Sequence, residues 1–164
     1  MVCKDTMCAR ILEAATKRFK HYGYSKTSMA EIAADLQMSP GNLYRYFPGK
    51  IDIALAIAQY HNDTQFEDLK KIAERPGVPV IERLRDFFYA DMVQTYQMIE
   101  RDPRTFELAQ IIKTERPNWV NTHLAREREL IVAMLREGVE DGIFDIGDIA
   151  FSAETFASMP SSRS

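Results

Sequence analysis

Glycine, proline and helix-capping residues divide this 164-residue sequence into segments in which apolar residues recur every three or four positions. That period is typical of amphipathic α-helices, and the separating residues are those that begin and end helices. No segment has the alternating pattern of a β-strand, and there is no internal repeat. We therefore predict an all-α fold of about eight helices.

Three helices are predicted in the first fifty residues. Helix one extends from Asp5 to Tyr22, before Gly23, which can adopt the left-handed conformation that often ends a helix. Helix two, from about Met29 to Leu36, follows a capping box formed by Ser28 and Glu31. Helix three covers about residues 40–46. Five further helices are predicted over about 50–74, 80–101, 103–113, 117–142 and from near 147 to 159.

Helix three is too short to be stable in water by itself. Ser39 and Pro40 form its start, because serine caps free amides and proline lacks an amide that would have no helical partner. Leu43 and Phe47 lie one turn apart and can pack onto helices one and two, which then stabilise the short helix. The outward side is predicted to display Asn42, Tyr44, Arg45 and Tyr46.

Helices two and three, joined through residues 37–39, form a helix-turn-helix in this prediction. The second helix of such a pair can enter the major groove of DNA while the first crosses the phosphates. The charge distribution agrees with a polyanion-binding N-terminal part. Residues 1–50 contain 8 Lys or Arg and 4 Asp or Glu, whereas residues 51–164 contain 13 and 20.

Several side chains around helix three have the chemistry for DNA contacts. Gly41 leaves room for close backbone approach, and Asn42 and Arg45 carry donors that suit base edges. Lys50 lies in the first turn of helix four, where the helix dipole disfavours a cation by up to about 1 kcal/mol unless an anion is near. A phosphate clamp is therefore predicted from Thr27, Ser28 and Lys50.

Residues 11–53, ILEAATKRFKHYGYSKTSMAEIAADLQMSPGNLYRYFPGKIDI, resemble the DNA-binding domain of the TetR family of transcriptional regulators. The matching features are an aromatic residue four positions before Gly23, the capped Ser28-x-x-Glu31-Ile32-Ala33, and Leu43-Tyr44-x-Tyr46-Phe47-x-x-Lys50. One departure is Gln37, where the family often has glycine for a left-handed turn; we expect it to cost up to about 1 kcal/mol. The resemblance implies DNA contacts by Thr27, Ser28, Ser39, Pro40, Gly41, Asn42, Tyr44, Arg45, Tyr46 and Lys50.

The resemblance also implies two domains. We expect a helix-turn-helix DNA-binding domain over residues 1–49 and a helical ligand-binding and dimerisation domain over residues 50–164. Members of the family end with two long helices that build the dimer, whereas this sequence ends at MPSSRS soon after the eighth helix begins. We therefore expect the usual last helix to be lacking.

The function implied by the resemblance is that of a ligand-responsive, sequence-specific regulator of transcription, with repression as the expected direction. Such a protein binds a pseudo-palindromic DNA operator as a homodimer. It is released when a small-molecule inducer occupies the helical domain and changes the separation of the two DNA-binding domains. The sequence identifies neither the operator nor the inducer.

Aromatic and methionine residues of the second domain are candidates for an inducer pocket, although such a stripe is more often ordinary core. His123 is a candidate polar group of the pocket, and a satisfied or exposed histidine is the simpler interpretation. The run Arg126-Glu127-Arg128-Glu129 is expected to be a solvated helix face with local ion pairs. The predicted pocket residues are Phe88, Met92, Tyr96, Phe106, Trp119 and His123.

Other classes of function find less support in the sequence. None of His21, His61 and His123 has an acidic residue three positions before it, as a di-iron helical bundle would require. No phosphate-binding loop or nucleophile elbow occurs, so we expect no enzymatic activity, metal or cofactor. No apolar run could span a bilayer and no secretory signal is found, so we expect a cytoplasmic protein without membrane contact. The alternative function is a helical small-molecule-binding or protein-interaction module with a non-functional DNA-binding domain.

Overall fold

The computed structural model describes residues 6–149 and residue 152. These residues form α-helices and no strand, which confirms the predicted all-α fold. Seven helices lie in the described part: α1 (Thr6–Tyr22), α2 (Met29–Asp35), α3 (Pro40–Tyr46), α4 (Lys50–Ala73), α5 (Val80–Arg101), α6 (Pro103–Glu115) and α7 (Pro117–Glu140).

The predicted eighth helix lies mostly outside the described residues, as does the predicted lack of a last helix. Within them, the Ser152 N–H donates to the Asp148 carbonyl oxygen at 3.1 Å. The predicted bounds of α6 and α7 differ slightly from those observed, because α6 continues two residues further and α7 ends two residues earlier. Helix termini vary by this amount whenever the last turn is loosely bonded.

Side-chain caps fix the helix starts that the sequence predicts. The Glu31 N–H donates to Ser28 Oγ at 3.2 Å, and the Ser28 N–H donates to Glu31 Oε2 at 2.7 Å, so the predicted capping box is confirmed. The Thr105 N–H donates to Asp102 Oδ1 at 3.1 Å at the start of α6. Each cap satisfies an amide that has no partner within its helix, which sets where the helix begins.

Two compact units divide the chain. Of the described residues, unit 1 contains 6–62 and Met98–Pro117, whereas unit 2 contains Asp63–Gln97 and those from Asn118 onward. This division differs from the expected boundary after residue 49. The reason is that the first part of α4, as far as Asn62, belongs to unit 1 and that α6 contacts α1.

Unit 1 is built on a core of apolar side chains from α1 to α4. Ile11, Ile32, Leu43 and Ile53 are fully buried in it. The start of α6 is held near the end of α1 by an ion pair between Lys20 Nζ and Asp102 Oδ2 at 3.4 Å. Helices α2 and α3 thereby lie on a scaffold of longer helices, which a seven-residue helix requires.

Unit 2 has a separate apolar core that also contains a buried cation. Arg83 is 7% exposed, its Nε donates to the Val78 carbonyl oxygen at 3.0 Å, and its guanidinium pairs with the Glu137 carboxylate. A buried guanidinium is tolerated only when its donors are satisfied in this way. The core residues are Leu69, Ala73, Val80, Leu84, Phe87, Ile131, Met134 and Leu135.

Gln37, in the turn between α2 and α3, has a φ of +55°. This confirms that the turn requires a left-handed backbone, which a side chain with a Cβ adopts at a cost. We predict that Gln37→Gly raises the free energy of unfolding by up to about 1 kcal/mol in urea denaturation followed by circular dichroism. Gln37→Ala, which retains the Cβ, should give no such increase. Equal stability of the two variants would contradict the prediction.

Candidate nucleic-acid interface

Helix α3 has one face in the core of unit 1 and the other in solvent. Leu43 is fully buried and Phe47 is 7% exposed, whereas Tyr44 is 51% and Tyr46 is 38% exposed. Arg45 is exposed as well. The orientation agrees with the prediction from the helical spacing, because the two buried residues lie one turn apart. Aromatic hydroxyls and a guanidinium are therefore available to a partner of unit 1.

The start of α3 is open to solvent. Ser39 is the N-cap, and its Oγ accepts the Asn42 N–H at 3.2 Å. Pro40 and Gly41 follow, and both are exposed. A Cβ added to Gly41 would meet no atom within 4 Å, and Gly41 is absent from the positive-φ glycines of the described chain. Neither packing nor backbone conformation in the isolated protein thus requires glycine at this position.

An α1 cation compensates the acidic residues of α2. Arg18 Nη2 donates to Asp35 Oδ1 at 2.9 Å, and Arg18 Nη1 lies 3.5 Å from Glu31 Oε1. The hydrogen bond from Arg18 lowers the pKa of Asp35, and hydrogen bonds from Ser28 lower the pKa of Glu31. Ser28 is exposed, but its hydroxyl donates to Glu31 Oε2 at 2.8 Å. The Asp35 and Glu31 carboxylates of α2 are therefore paired with donors within unit 1.

Thr27 is buried, which corrects its predicted place in a phosphate clamp. The residue is 2% exposed, its hydroxyl donates to the Gly23 carbonyl oxygen at 2.9 Å, and its N–H donates to the Tyr24 carbonyl oxygen at 3.1 Å. Both of its donors are used inside the loop between α1 and α2. The sequence could not reveal this, because threonine at the end of a loop is equally suited to solvent.

Lys50 is directed toward the same loop. Its Nζ donates to the carbonyl oxygens of Tyr24 and Thr27, each at 2.7 Å, and lies 4.2 Å from the centroid of the Tyr24 ring. Partial burial lowers the pKa of Lys50, and the nearby Glu115 and Glu31 carboxylates oppose that shift. Two of the three ammonium donors thus face protein carbonyls. The contact of Tyr24 with Lys50 spans 26 positions, so no local pattern in the sequence indicates it.

The six predicted pocket residues are divided between the two compact units. Phe106 belongs to unit 1 and the other five to unit 2. Along α5, Phe88 packs against the unit 2 core, whereas Met92 is 56% and Tyr96 is 61% exposed. Residues four apart on an α-helix advance about 40° around its axis, so Met92 and then Tyr96 lie progressively further from the side of α5 on which Phe88 lies.

Trp119 and His123 do form a local pair on α7. Their ring centroids are 4.1 Å apart, and His123 Nδ1 lies 2.9 Å from the Trp119 carbonyl oxygen. The other ring nitrogen of His123, Nε2, is buried without a hydrogen-bond partner. Buried polar atoms of this kind are uncommon in proteins. Two of the predicted pocket residues, Trp119 and His123, are therefore in direct contact.

The expectation of a solvated face at residues 126–129 holds for Glu129, which is exposed, and is wrong for residues 126–128, which are partly buried. Arg126 Nη1 donates to Asp63 Oδ1 at 2.8 Å, and its guanidinium lies 4.1 Å from the centroid of the Phe66 ring. Burial, with a smaller contribution from the Asp91 carboxylate, raises the pKa of Glu127 to about 7. Helices α4 and α5 cover this part of α7, which no pattern within α7 could indicate.

No group of three or more His, Cys, Asp or Glu side chains in the described residues could hold a metal ion. No helix of residues 6–149 is long and apolar enough to cross a bilayer.

Comparisons with known proteins agree with this geometry. A family model for bacterial regulatory proteins of the tetR family matches residues 11–57, and a model for a tetracyclin repressor-like C-terminal domain matches residues 81–162. The uncharacterized HTH-type transcriptional regulator YuxN of Bacillus subtilis is 36% identical over 69 residues, which are 42% of this chain and 24% of that protein. The chain thus spans about a quarter of the length of this curated relative.

Solved structures resemble the chain over most of its length. A TetR/AcrR regulator from Thermobifida fusca YX-ER1 has a TM-score of 0.74 at 24% identity, covering 93% of this chain and 81% of that one. The regulator PfmR from Thermus thermophilus has a TM-score of 0.63 at 32% identity, covering 92% and 81%. FadR of Thermus thermophilus, solved in complex with lauroyl-CoA, has a TM-score of 0.64 at 21% identity, covering 93% and 78%. The first and third likenesses show the fold alone.

The raised pKa of Glu127 predicts a pH dependence of stability. The folded pKa is about 7 and the ordinary value 4.5, so the stability that neutral Glu127 contributes is complete below about pH 4.5 and is lost as the pH rises through 7. Glu127→Gln, which cannot ionise, should therefore raise the melting temperature relative to wild type at pH 8 and have little effect at pH 4.5. The exposed Glu129→Gln should show no such trend. A Glu127→Gln difference that is independent of pH would contradict the prediction.

Proposed function

The chain belongs to the TetR family of bacterial regulatory proteins, and from this premise we propose that it is a sequence-specific DNA-binding repressor of transcription that responds to a small molecule. In this proposal two copies bind the halves of a pseudo-palindromic operator about 34–36 Å apart, or a multiple of that spacing. The protein has no enzymatic role and acts in the cytoplasm, where its operator is accessible. Unit 1 binds DNA and unit 2 binds the small molecule.

One observation carries the DNA-binding part of the proposal, namely the two-sided character of α3. Leu43 attaches the helix to the core, while Tyr44, Arg45 and Tyr46 are exposed. Arginine suits the paired acceptors of guanine in the major groove, and tyrosine hydroxyls commonly reach phosphates. The proposed contacts are Ser28, Ser39, Pro40, Gly41, Asn42, Tyr44, Arg45 and Tyr46.

The alternative is a ligand-binding or interaction module whose DNA-binding domain has lost its function. Such a module has no need for an arginine between two exposed tyrosines on a helix that depends on its neighbours for stability. It also has no need for an open glycine at the start of that helix, because Gly41 is not required by the fold. We therefore favour the DNA-binding regulator.

A substitution at Gly41 can distinguish an effect on DNA binding from an effect on folding. We predict that Gly41→Leu leaves the melting temperature unchanged or raises it, because leucine is a better helix former than glycine and meets no neighbour. The same variant should bind DNA at least about tenfold more weakly, since a side chain would stand between the backbone and the duplex. The measurement is fluorescence anisotropy with a duplex selected from a random pool by the wild-type protein.

Gly147 provides the matched control for this substitution. A Cβ at Gly147 would also meet nothing within 4 Å, but the residue belongs to unit 2. Gly147→Leu should leave DNA affinity unchanged. Selection of no duplex by the wild-type protein, or equal affinities of Gly41→Leu and wild type, would argue against DNA binding through α3.

An acyl-CoA thioester is the class of small molecule that we propose for unit 2. The support is the Thermus thermophilus FadR solved in complex with lauroyl-CoA, which shares the fold. Lauroyl-CoA should release the protein from the selected duplex at concentrations at which coenzyme A and laurate, tested separately, do not. Release by laurate alone would indicate a detergent effect, and no release by the thioester would argue against lauroyl-CoA as the small molecule.

A further inference from the structure

Lys50 occupies a position that the backbone of α4 makes unfavourable for a cation. It is the first residue of α4, where the helix dipole is positive. Its ammonium nevertheless lies 2.7 Å from each of two carbonyl oxygens, those of Tyr24 and Thr27, with the Tyr24 ring beside it. Carbonyl oxygens and an aromatic face both attract a cation, so the local surroundings offset the dipole.

The two carbonyls belong to one turn, formed by residues 24–27, that leads directly into α2. The Thr27 N–H donates to the Tyr24 carbonyl oxygen at 3.1 Å, so Tyr24 O receives both this amide and the ammonium. The Tyr24 ring packs against Phe19 of the unit 1 core, with centroids 5.3 Å apart. The next residue, Ser28, is the N-cap of α2. The ammonium therefore joins the start of α4 to the segment that fixes where α2 begins.

The environment of this ammonium differs from that of an exposed DNA-binding lysine. Lys50 is half-buried, and burial is the main cause of its lowered pKa. Hydrogen bonds in such partly buried surroundings are stronger than at a free surface. Moving the ammonium to a phosphate would leave two carbonyls without this partner, which costs more than displacing water from an exposed side chain.

We propose that Lys50 is a positioning residue, which holds the 24–27 turn and thereby the orientation of α2 and α3 on unit 1, and that it makes no direct phosphate contact. The inference rests on the proposed DNA-binding function. It replaces the phosphate role that the sequence suggested for Lys50. The position of the turn affects DNA binding through α2 and α3, which Ile32 and Leu43, both fully buried, attach to the core of unit 1.

Lys50→Met tests the proposal, because methionine retains an apolar stem of similar length and lacks the ammonium. Hydrogen exchange of the Thr27 amide, followed by NMR without DNA, should accelerate by at least about tenfold as the turn opens more often. Affinity for the selected duplex should fall, while the slope of log K against log salt stays that of wild type. A direct phosphate ligand would instead reduce the magnitude of that slope by about 0.9. If Lys50→Met does not fold, Lys50→Gln is measured in its place.

Lys26→Met is the matched control. Lys26 lies in the same turn and is exposed, so the variant removes one positive charge without removing the Lys50 contacts. Thr27 exchange should be unchanged in it.

A reduced salt slope in Lys50→Met, beyond any change in Lys26→Met, overturns the proposal whatever the exchange result. Unchanged Thr27 exchange in Lys50→Met overturns it as well. Failure of the wild-type protein to bind any duplex in dilute buffer would reject the proposed function and with it the positioning role of Lys50 in DNA binding. The exchange measurement would still decide whether Lys50 holds the turn.

Discussion

The burial of two side chains beneath α3 is the constraint on which the rest of unit 1 depends. A helix of seven residues has too few hydrogen bonds to offset the cost of nucleation. Leu43 and Phe47 supply the missing stability, because burying an apolar side chain of this size stabilises a fold by about 1.5–3 kcal/mol. Their attachment also decides orientation, since fixing one side of so short a helix leaves the opposite side in solvent. Arg45 and its neighbouring tyrosines are exposed for this reason.

Cations that join distant segments provide a second level of organisation in both units. Arg18 links α1 to α2 through Asp35, Lys50 links α4 to the 24–27 turn, and in unit 2 Arg83 links α5 to Glu137 on α7. The Arg83 guanidinium is buried and the Lys50 ammonium is partly buried. In such surroundings charge-assisted hydrogen bonds are strong, and a donor without a hydrogen-bond partner is costly. The basic residues of unit 1 are therefore not all available to a polyanion, and its formal charge overstates what it can offer to DNA.

Unit 2 contains polar groups that a core selected for stability alone would exclude. The carboxyl of Glu127 is disfavoured in its charged form by burial, and Arg128 Nε and His123 Nε2 are buried without hydrogen-bond partners. Each such atom costs about 1–3 kcal/mol. Buried polar groups without partners are often found where a protein binds a ligand or changes conformation. Their presence agrees with the ligand response that we propose for unit 2. The apolar core around Leu69 and Met134 supplies the compensating stability.

Local signals in the sequence determined the helices and the orientation of α3. The box of Ser28 and Glu31 joins residues three positions apart, and Leu43 and Phe47 are one turn apart, so both could be predicted from spacing alone. The roles of Lys50 and Glu127 could not. Lys50 meets a carbonyl 26 positions earlier, and Glu127 is covered by other helices. Whether a charged side chain faces water or a partner depends on which distant segments pack over it, and only the tertiary structure decides that.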